Sequence, residues 1–242
     1  MFVIKLDAID STNEYLKKLV KNQEVDNFTM ILAQEQTAGK GQMGASWHSE
    51  PGKNMILSVL VKDLSLENFT IFDVNVTIAL AMARTLKSKN IPNVQIKWPN
   101  DIMAESKKVG GILVENAFKT NGTMTSVIGV GLNLNQTSFD TLPQASSLKN
   151  IVNKTFEAEE MAVFFVTELK ALLKLLVINV DVIWQEYLAM LFKRNEVCAF
   201  ENQNGNRFMG IIQNVTRDGK LSIKIEDDSV VNFEVKQVKM LF

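Results

Sequence analysis

Apolar and polar residues alternate from residue 2 to 9, the period of a strand with one buried face. Asp10-Ser11-Thr12-Asn13-Glu14 follows, and then Tyr15, Leu16, Leu19 and Val20 recur at helical spacing. Ser11 and Glu14 stand at capping-box spacing, so this stretch reads either as a plain helix start or as polar groups facing a ligand at free helix N–H groups. Residues 28–35 and 55–61 are apolar runs of strand length, and 71–86 has helical spacing. A strand at 94–97 leaves through the sharp turn Trp98-Pro99-Asn100-Asp101. Ile102-Met103 then pairs with 109–116 across a turn at 105–107, placing Lys108 at the start of the returning strand, and 123–135 extends the sheet. Amphipathic helices at 157–179 and 180–192 are assigned to core packing. From Glu196 the pattern changes to short strands at 197–201, 207–215, 221–225 and 230–235, with Asn204-Gly205 and Asp218-Gly219 as hairpin signals. That predicts a small β-barrel or sandwich beyond a boundary near residues 193–195.

The segment 36–54 has neither period, which marks it as a binding loop more than a connector. Its Gly39, Gly41 and Gly44 match the spacing G-x-G-x-x-G, but a dinucleotide fingerprint needs a helix to begin within the glycines. Residues 46–52 are polar, turn-rich and broken by Pro51, so a phosphate cradle of another kind is expected. Gly129 and Gly131, in one strand, point to the close approach of a ligand or another backbone. Asn133 beyond them is either a polar contact or a turn residue.

Composition narrows the classes. The chain has 242 residues, 46% hydrophobic, enough for a full core. Its 26 basic and 27 acidic residues argue against a nucleic-acid-coating protein. One cysteine, Cys198, excludes an intramolecular disulfide framework, and one histidine, His48, disfavours a zinc site. No signal-peptide pattern opens the chain and no apolar run has membrane-spanning length, so a soluble cytoplasmic protein is expected.

Five ordered signatures then occur within residues 9–135: Ser11-Thr12-Asn13; Gln36 with Gly39-Lys40-Gly41-Gln42-Met43-Gly44 and Trp47; Lys97-Trp98-Pro99-Asn100-Asp101; Lys108 with Gly111-Ile112-Leu113-Val114-Glu115; and Gly129-Val130-Gly131-Leu132-Asn133. In this order and spacing they resemble the biotin–protein ligases. The resemblance implies an α+β fold: a mixed-sheet catalytic domain of the class II synthetase or biotin/lipoate ligase type over 1–194, and a C-terminal SH3-like β-barrel over 195–242. It implies a two-step reaction in which biotin and ATP, with Mg2+, form biotinyl-5′-adenylate, and the adenylate then acylates a lysine of a biotin carboxyl carrier domain.

By the same resemblance Lys108 contacts the biotin carboxyl and the α-phosphate, and Lys40 supplies a loop cation, with Gly39, Gly41 and Gln42 beside it. Ser11, Thr12, Asn13 and Gln36 match biotin-contacting positions, and Trp47 covers the adenine or packs on the protein's own surface. Lys97, Asn100, Gly111 and Asn133 complete the binding set. Asn100 and Asp101 lie near the magnesium that ATP carries and near the acceptor lysine, which Asp101 orients or deprotonates. Many relatives carry arginines at the positions of Lys40, Gln42 and Ala45; here only Lys40 is charged, and lysine lacks arginine's planar fork. Because the signatures begin at Ser11, no room is expected for a DNA-binding segment; no membrane partner is expected, and a homodimer is a candidate assembly. The competing readings are a lipoate or octanoate ligase or transferase, against which Gln36 and Lys-Trp-Pro-Asn-Asp weigh, and a non-catalytic biotin- or nucleotide-binding protein.

Overall fold

A computed structural model describes residues 2–120, 122–140 and 142–241. The chain runs β1 (Val3–Ile9), α1 (Thr12–Asn22), β2 (Met30–Gln36), β3 (Met55–Ser65), α2 (Ile71–Ser88), β4 (Gln95–Lys97), β5 (Asp101–Ala104), β6 (Lys107–Phe118), β7 (Thr123–Leu132), α3 (Leu148–Val152), α4 (Ala158–Ile178) and α5 (Val180–Ala189). Five further strands follow: β8 (Val197–Asn202), β9 (Arg207–Val215), β10 (Leu221–Lys224), β11 (Val230–Phe233) and β12 (Val238–Leu241). The first seven strands form one sheet in the order β1-β2-β3-β7-β6-β5-β4. Only β1 and β2 pair in parallel, so the sheet is mixed, as expected of this α+β class.

The period-2 alternation of a strand decides what each face carries. In central β3, Met55, Leu57, Val59 and Val61 join the main core under α2, α4 and α5. Ile56, Ser58 and Leu60 point to the opposite face, where Leu16 of α1 packs with Ile31, Leu60 and Val127. Each such buried aliphatic side chain is worth roughly 2 kcal/mol of burial and seats α1 firmly on that face. Helices therefore fill one side of the sheet, while the other side is left to α1 and an open, polar surface.

The helix starts differ from the sequence expectation in one respect. Glu14 N–H does donate to Ser11 Oγ, at 3.5 Å, but the Glu14 carboxylate does not complete the capping box. It turns to Lys17 and Lys40, and the Ser11 N–H donates to Asp10 Oδ1 instead, at 2.8 Å. The complete box is at α2, between Thr70 and Asp73. Two elements carried no usable sequence signal: α3 has only five residues, and β12 follows a polar turn without glycine.

The five C-terminal strands form an antiparallel sheet ordered β11-β10-β9-β8-β12, whose Phe200, Ile212, Val215, Leu221 and Ile223 are continuous with the main core. Its β9–β10 turn docks on the first sheet. Gly219 O accepts the indole N–H of Trp98 at 2.9 Å, and a Cβ on Gly219 would lie 2.5 Å from the Phe72 ring. Arg217 bridges Asp73 and Asp181, and Trp184 Nε1 also donates to Asp73. Trp98, 8% exposed, is thus a docking post at the base of Pro99-Asn100-Asp101. No helix among the described residues is long and apolar enough to cross a membrane.

Candidate active site

The parallel pairing of β1 with β2 sets Ile9 beside Gln36, so the N-terminus of α1 meets the end of β2. Gln36 Oε1 accepts from both the backbone N–H and the hydroxyl of Thr12, at 2.8 and 3.0 Å. Ser58 Oγ lies 2.8 Å from Thr12 Oγ1 and 2.5 Å from Asn13 Oδ1. Asn13 Nδ2 donates to Glu115 Oε2 at 2.8 Å, and Glu115 Oε1 pairs with Lys17 at 2.7 Å. Lys17 and Lys40 both hold Glu14 Oε1 at 2.8 Å. These two partners, Lys17 foremost, pull the Glu14 carboxyl down to about 2. Burial alone would lower the Lys17 ammonium, but the bonds from Glu115 and Glu14 outweigh it and leave Lys17 raised.

A second cluster comes from the β5–β6 hairpin, whose turn residues Glu105 and Ser106 take left-handed backbone angles. A register shift between Ile102 and Met103 brings Lys108 back toward the start of β5. Lys108 Nζ sits 2.6 Å from Asp101 Oδ1, and Lys97 Nζ 4.0 Å from Asp101 Oδ2. Lys97 is largely buried, and that burial holds its ammonium below the usual lysine value despite Asp101. Asn100 braces the start of the hairpin, donating from Nδ2 to Ile112 O at 2.8 Å while its own carbonyl accepts Ile112 N–H at 3.0 Å.

The glycine loop is a closed turn between antiparallel strands. Gly41 N–H reaches Ala45 O at 2.6 Å, Trp47 N–H reaches Gly39 O at 2.9 Å, and Lys40 bridges Ser46. Its only helical feature is a three-residue 3-10 turn at Gln42–Gly44, so the dinucleotide geometry is excluded, as its sequence context indicated. A Cβ on Gly39 would lie 2.5 Å from Trp47 O, which explains glycine there. The Trp47 indole rests on Gly131, where a Cβ would come within 2.6 Å of Cζ2, and its Nε1 is buried without a partner. Gly129 makes room in the same way for Asn13 Oδ1, at 2.7 Å. At both strand glycines the close approach is made by site side chains, Asn13 at Gly129 and Trp47 at Gly131.

Most of the expected residues meet in one cavity of about 160 Å3. Ser11, Thr12, Asn13 and Gln36 line one end; Lys40, Gly41, Gln42 and Trp47 line the loop side; Asn100, Asp101, Lys108 and Gly111 line the other end. Gly39 and Lys97 are not in its wall: Gly39 underlies Trp47, and Lys97 is set back against Asp101. Asn133 lines an adjoining, more apolar cavity of about 330 Å3 on the far side of Trp47, with Leu142, Pro143 and Ala145. Its Nδ2 donates to Ser146 O at 3.0 Å. The sequence reading missed Ser58, Glu115 as a site residue, and the 136–145 segment. The available signal was Ser58 as the lone polar position in the apolar run 55–61, and Glu115 on the same face as Gly111.

A cavity with hydroxyls and amides at one end, Lys108 at the other and Lys40 on the loop side suits a ligand with a neutral polar head and an anionic tail. A sequence profile described as the Biotin/lipoate A/B protein ligase family matches residues 6–133. The chain belongs to this family. The bifunctional ligase/repressor BirA of Escherichia coli is 36% identical over 132 residues, 54% of this chain and 40% of that protein. The biotin--[acetyl-CoA-carboxylase] ligase of Mycobacterium tuberculosis is 27% identical over 233 residues, 91% of this chain and 82% of that protein. The fold matches the biotin protein ligase from Aquifex aeolicus, solved with biotin and ATP, with TM-score 0.79 and 22% identity over 99% of this chain and 98% of that one. The chain spans only 40–42% of the length of the bifunctional family members it resembles.

Proposed function

We propose that the chain is an ATP-dependent biotin–protein ligase that forms biotinyl-5′-adenylate and passes biotin to a lysine of a carboxyl carrier domain. The observation that carries this reading is the pairing, in one cavity, of Thr12, Asn13 and Gln36, the first two braced by Ser58, with the Lys108–Asp101 pair. A cyclic urea offers two N–H donors and a carbonyl, which such hydroxyls and amides can engage; a lipoyl dithiolane offers none and gains nothing from them.

At the other end, attack of the biotin carboxylate on the α-phosphate brings two anions together. Lys108 and Lys40 offset the charge that builds up. Lys108 lies close above Gly111, where a Cβ would stand 3.7 Å from its Nζ, and Asp101 fixes its direction. Trp47 separates the cavity from the apolar one beside it, which is the place for adenine. Pyrophosphate leaves in this step, and the acceptor lysine then attacks the acyl carbon and expels AMP. That lysine must lose a proton, and Asp101 is the one carboxylate among the described residues lining the cavity.

Magnesium enters as part of the ATP substrate. Asn100 and Asp101, in the cavity wall, are the residues of this chain that would contact it. The test is incubation with Mg·ATP and labelled biotin or lipoate, followed by a carrier domain. Biotin-dependent pyrophosphate release and carrier labelling are expected; labelling with lipoate alone would overturn the proposal.

A further inference from the structure

Between Gly39 and Trp47 the loop carries one charged side chain, Lys40, while Gln42 and Ala45 are neutral. Met43 at its tip has φ 52° and ψ 39°, a left-handed conformation disfavoured for an L-residue. Such angles persist where the surroundings over-determine them. Packing is not what does so here, because Met43 is 58% exposed. The turn is closed by Gly41 N–H to Ala45 O and Ala45 N–H to Gln42 O, and two contacts from outside reach the loop as well. Glu14 of α1 holds Lys40 Nζ at 2.8 Å, and Lys236, in the turn between β11 and β12, donates from Nζ to Met43 O at 2.9 Å.

We propose that Glu14 and Lys236 are positioning residues that clamp this loop over the cavity, one from the first helix and one from the C-terminal sheet. An ammonium has three donors, so Lys40 keeps Glu14 with one and offers the others to an anion in the cavity. Glu14 does not have to give up its charge balance when Lys40 is shared, because Lys17 holds the same oxygen. The identity of the retained ligand rests on the ligase reading: it is biotinyl-adenylate, a mixed anhydride. Once escaped, it is attacked at the acyl carbon by water or by any bystander lysine, with AMP as the leaving group. On this account two protein contacts, rather than several loop cations, keep the lid closed, and the C-terminal sheet takes part in retention.

The experiment compares the full chain with Glu14→Ala, Lys236→Met and the double variant, and with Glu14→Gln and Lys236→Arg, which keep an acceptor and a donor. Amide hydrogen exchange across residues 39–47, without added ATP or biotin, is expected to speed up roughly two- to fivefold in each alanine or methionine variant, as for loss of an exposed contact, and more in the double. β6 and β7 should be unaffected. With biotin and Mg·ATP, labelling of added serum albumin should rise by a similar factor, while first-turnover pyrophosphate release keeps its rate in Lys236→Met, and the conservative variants should fall between. Unchanged loop exchange in both single variants would overturn the clamp. Albumin labelling that stays level or falls in Glu14→Ala would show that Glu14 competes for Lys40 instead of positioning it. If the wild type releases no pyrophosphate yet loop exchange responds as described, the clamp stands and the ligase reading falls.

Discussion

Two lysines reach the same cavity from supports of different stiffness. Lys108 stands on β6, inside a seven-stranded sheet, and its partner Asp101 is on the neighbouring strand with only 18% of its side chain exposed. Lys40 stands on a glycine loop, 54% exposed, and its partner Glu14 belongs to a different element altogether. A cation that must meet a transition state within a fraction of an ångström gains from a rigid strand, whereas a cation that must admit and then retain a ligand needs a support that moves. On the proposed reading the sheet supplies the more rigid cation for the chemistry, and the loop supplies the one that also retains the ligand.

The comparison breaks most visibly at Lys108. Lys108→Ala should slow biotin-dependent pyrophosphate release about 10²- to 10³-fold, the usual cost of removing a group aimed at developing charge, with an unchanged circular dichroism spectrum. A smaller loss than for Lys40→Ala would reverse the two roles. The next effect concerns the frame that carries Trp98 and the hairpin. Asp73 is almost fully buried; burial raises its carboxyl, but the bonds from Thr70, Trp184 and Arg217 outweigh burial and hold it below the usual value. A depressed carboxyl adds stability above its unfolded value, near 3.8, and that stability is lost as pH falls below it. Asp73→Ala should therefore cost about 3 kcal/mol at pH 7, measured by urea denaturation, and the gap from wild type should narrow below pH 4. A gap that persists at low pH would refute the electrostatic account. The mildest change sharpens the polar end: Ser58→Ala removes the hydroxyl between Thr12 and Asn13 and should raise KM for biotin roughly fivefold, leaving kcat and KM for ATP near wild type.

How much of this was legible beforehand follows from what sequence patterns encode. The alternation in β3 and the apolar spacing of α2 and α4 are local, so the sheet and its helical cover could be read directly. The setting of Lys108 could be read, through the family resemblance, because Asp101 and Gly111 lie within ten residues of it on one hairpin. Contacts between residues far apart in the chain left no local trace. Glu14 looked like a capping partner for Ser11, and only the fold shows it between Lys17 and Lys40. Trp98 stood inside a ligand-binding signature, yet its indole holds Gly219 of the second sheet. Gly129 and Gly131 announced a close approach without saying to what; the answer, Asn13 and Trp47, needed the pairing of β7 with β3 and β6.

The central claim is that this one cavity makes and holds a biotin mixed anhydride. The most direct measurement mixes stoichiometric protein, biotin and Mg·ATP without a carrier, removes free ligands rapidly, and identifies what remains bound by mass spectrometry. Biotinyl-5′-AMP bound at about one per chain, with matching pyrophosphate in solution and none formed from lipoate, is the predicted result. Recovery of unreacted biotin and ATP, or of lipoyl-AMP in its place, would contradict it.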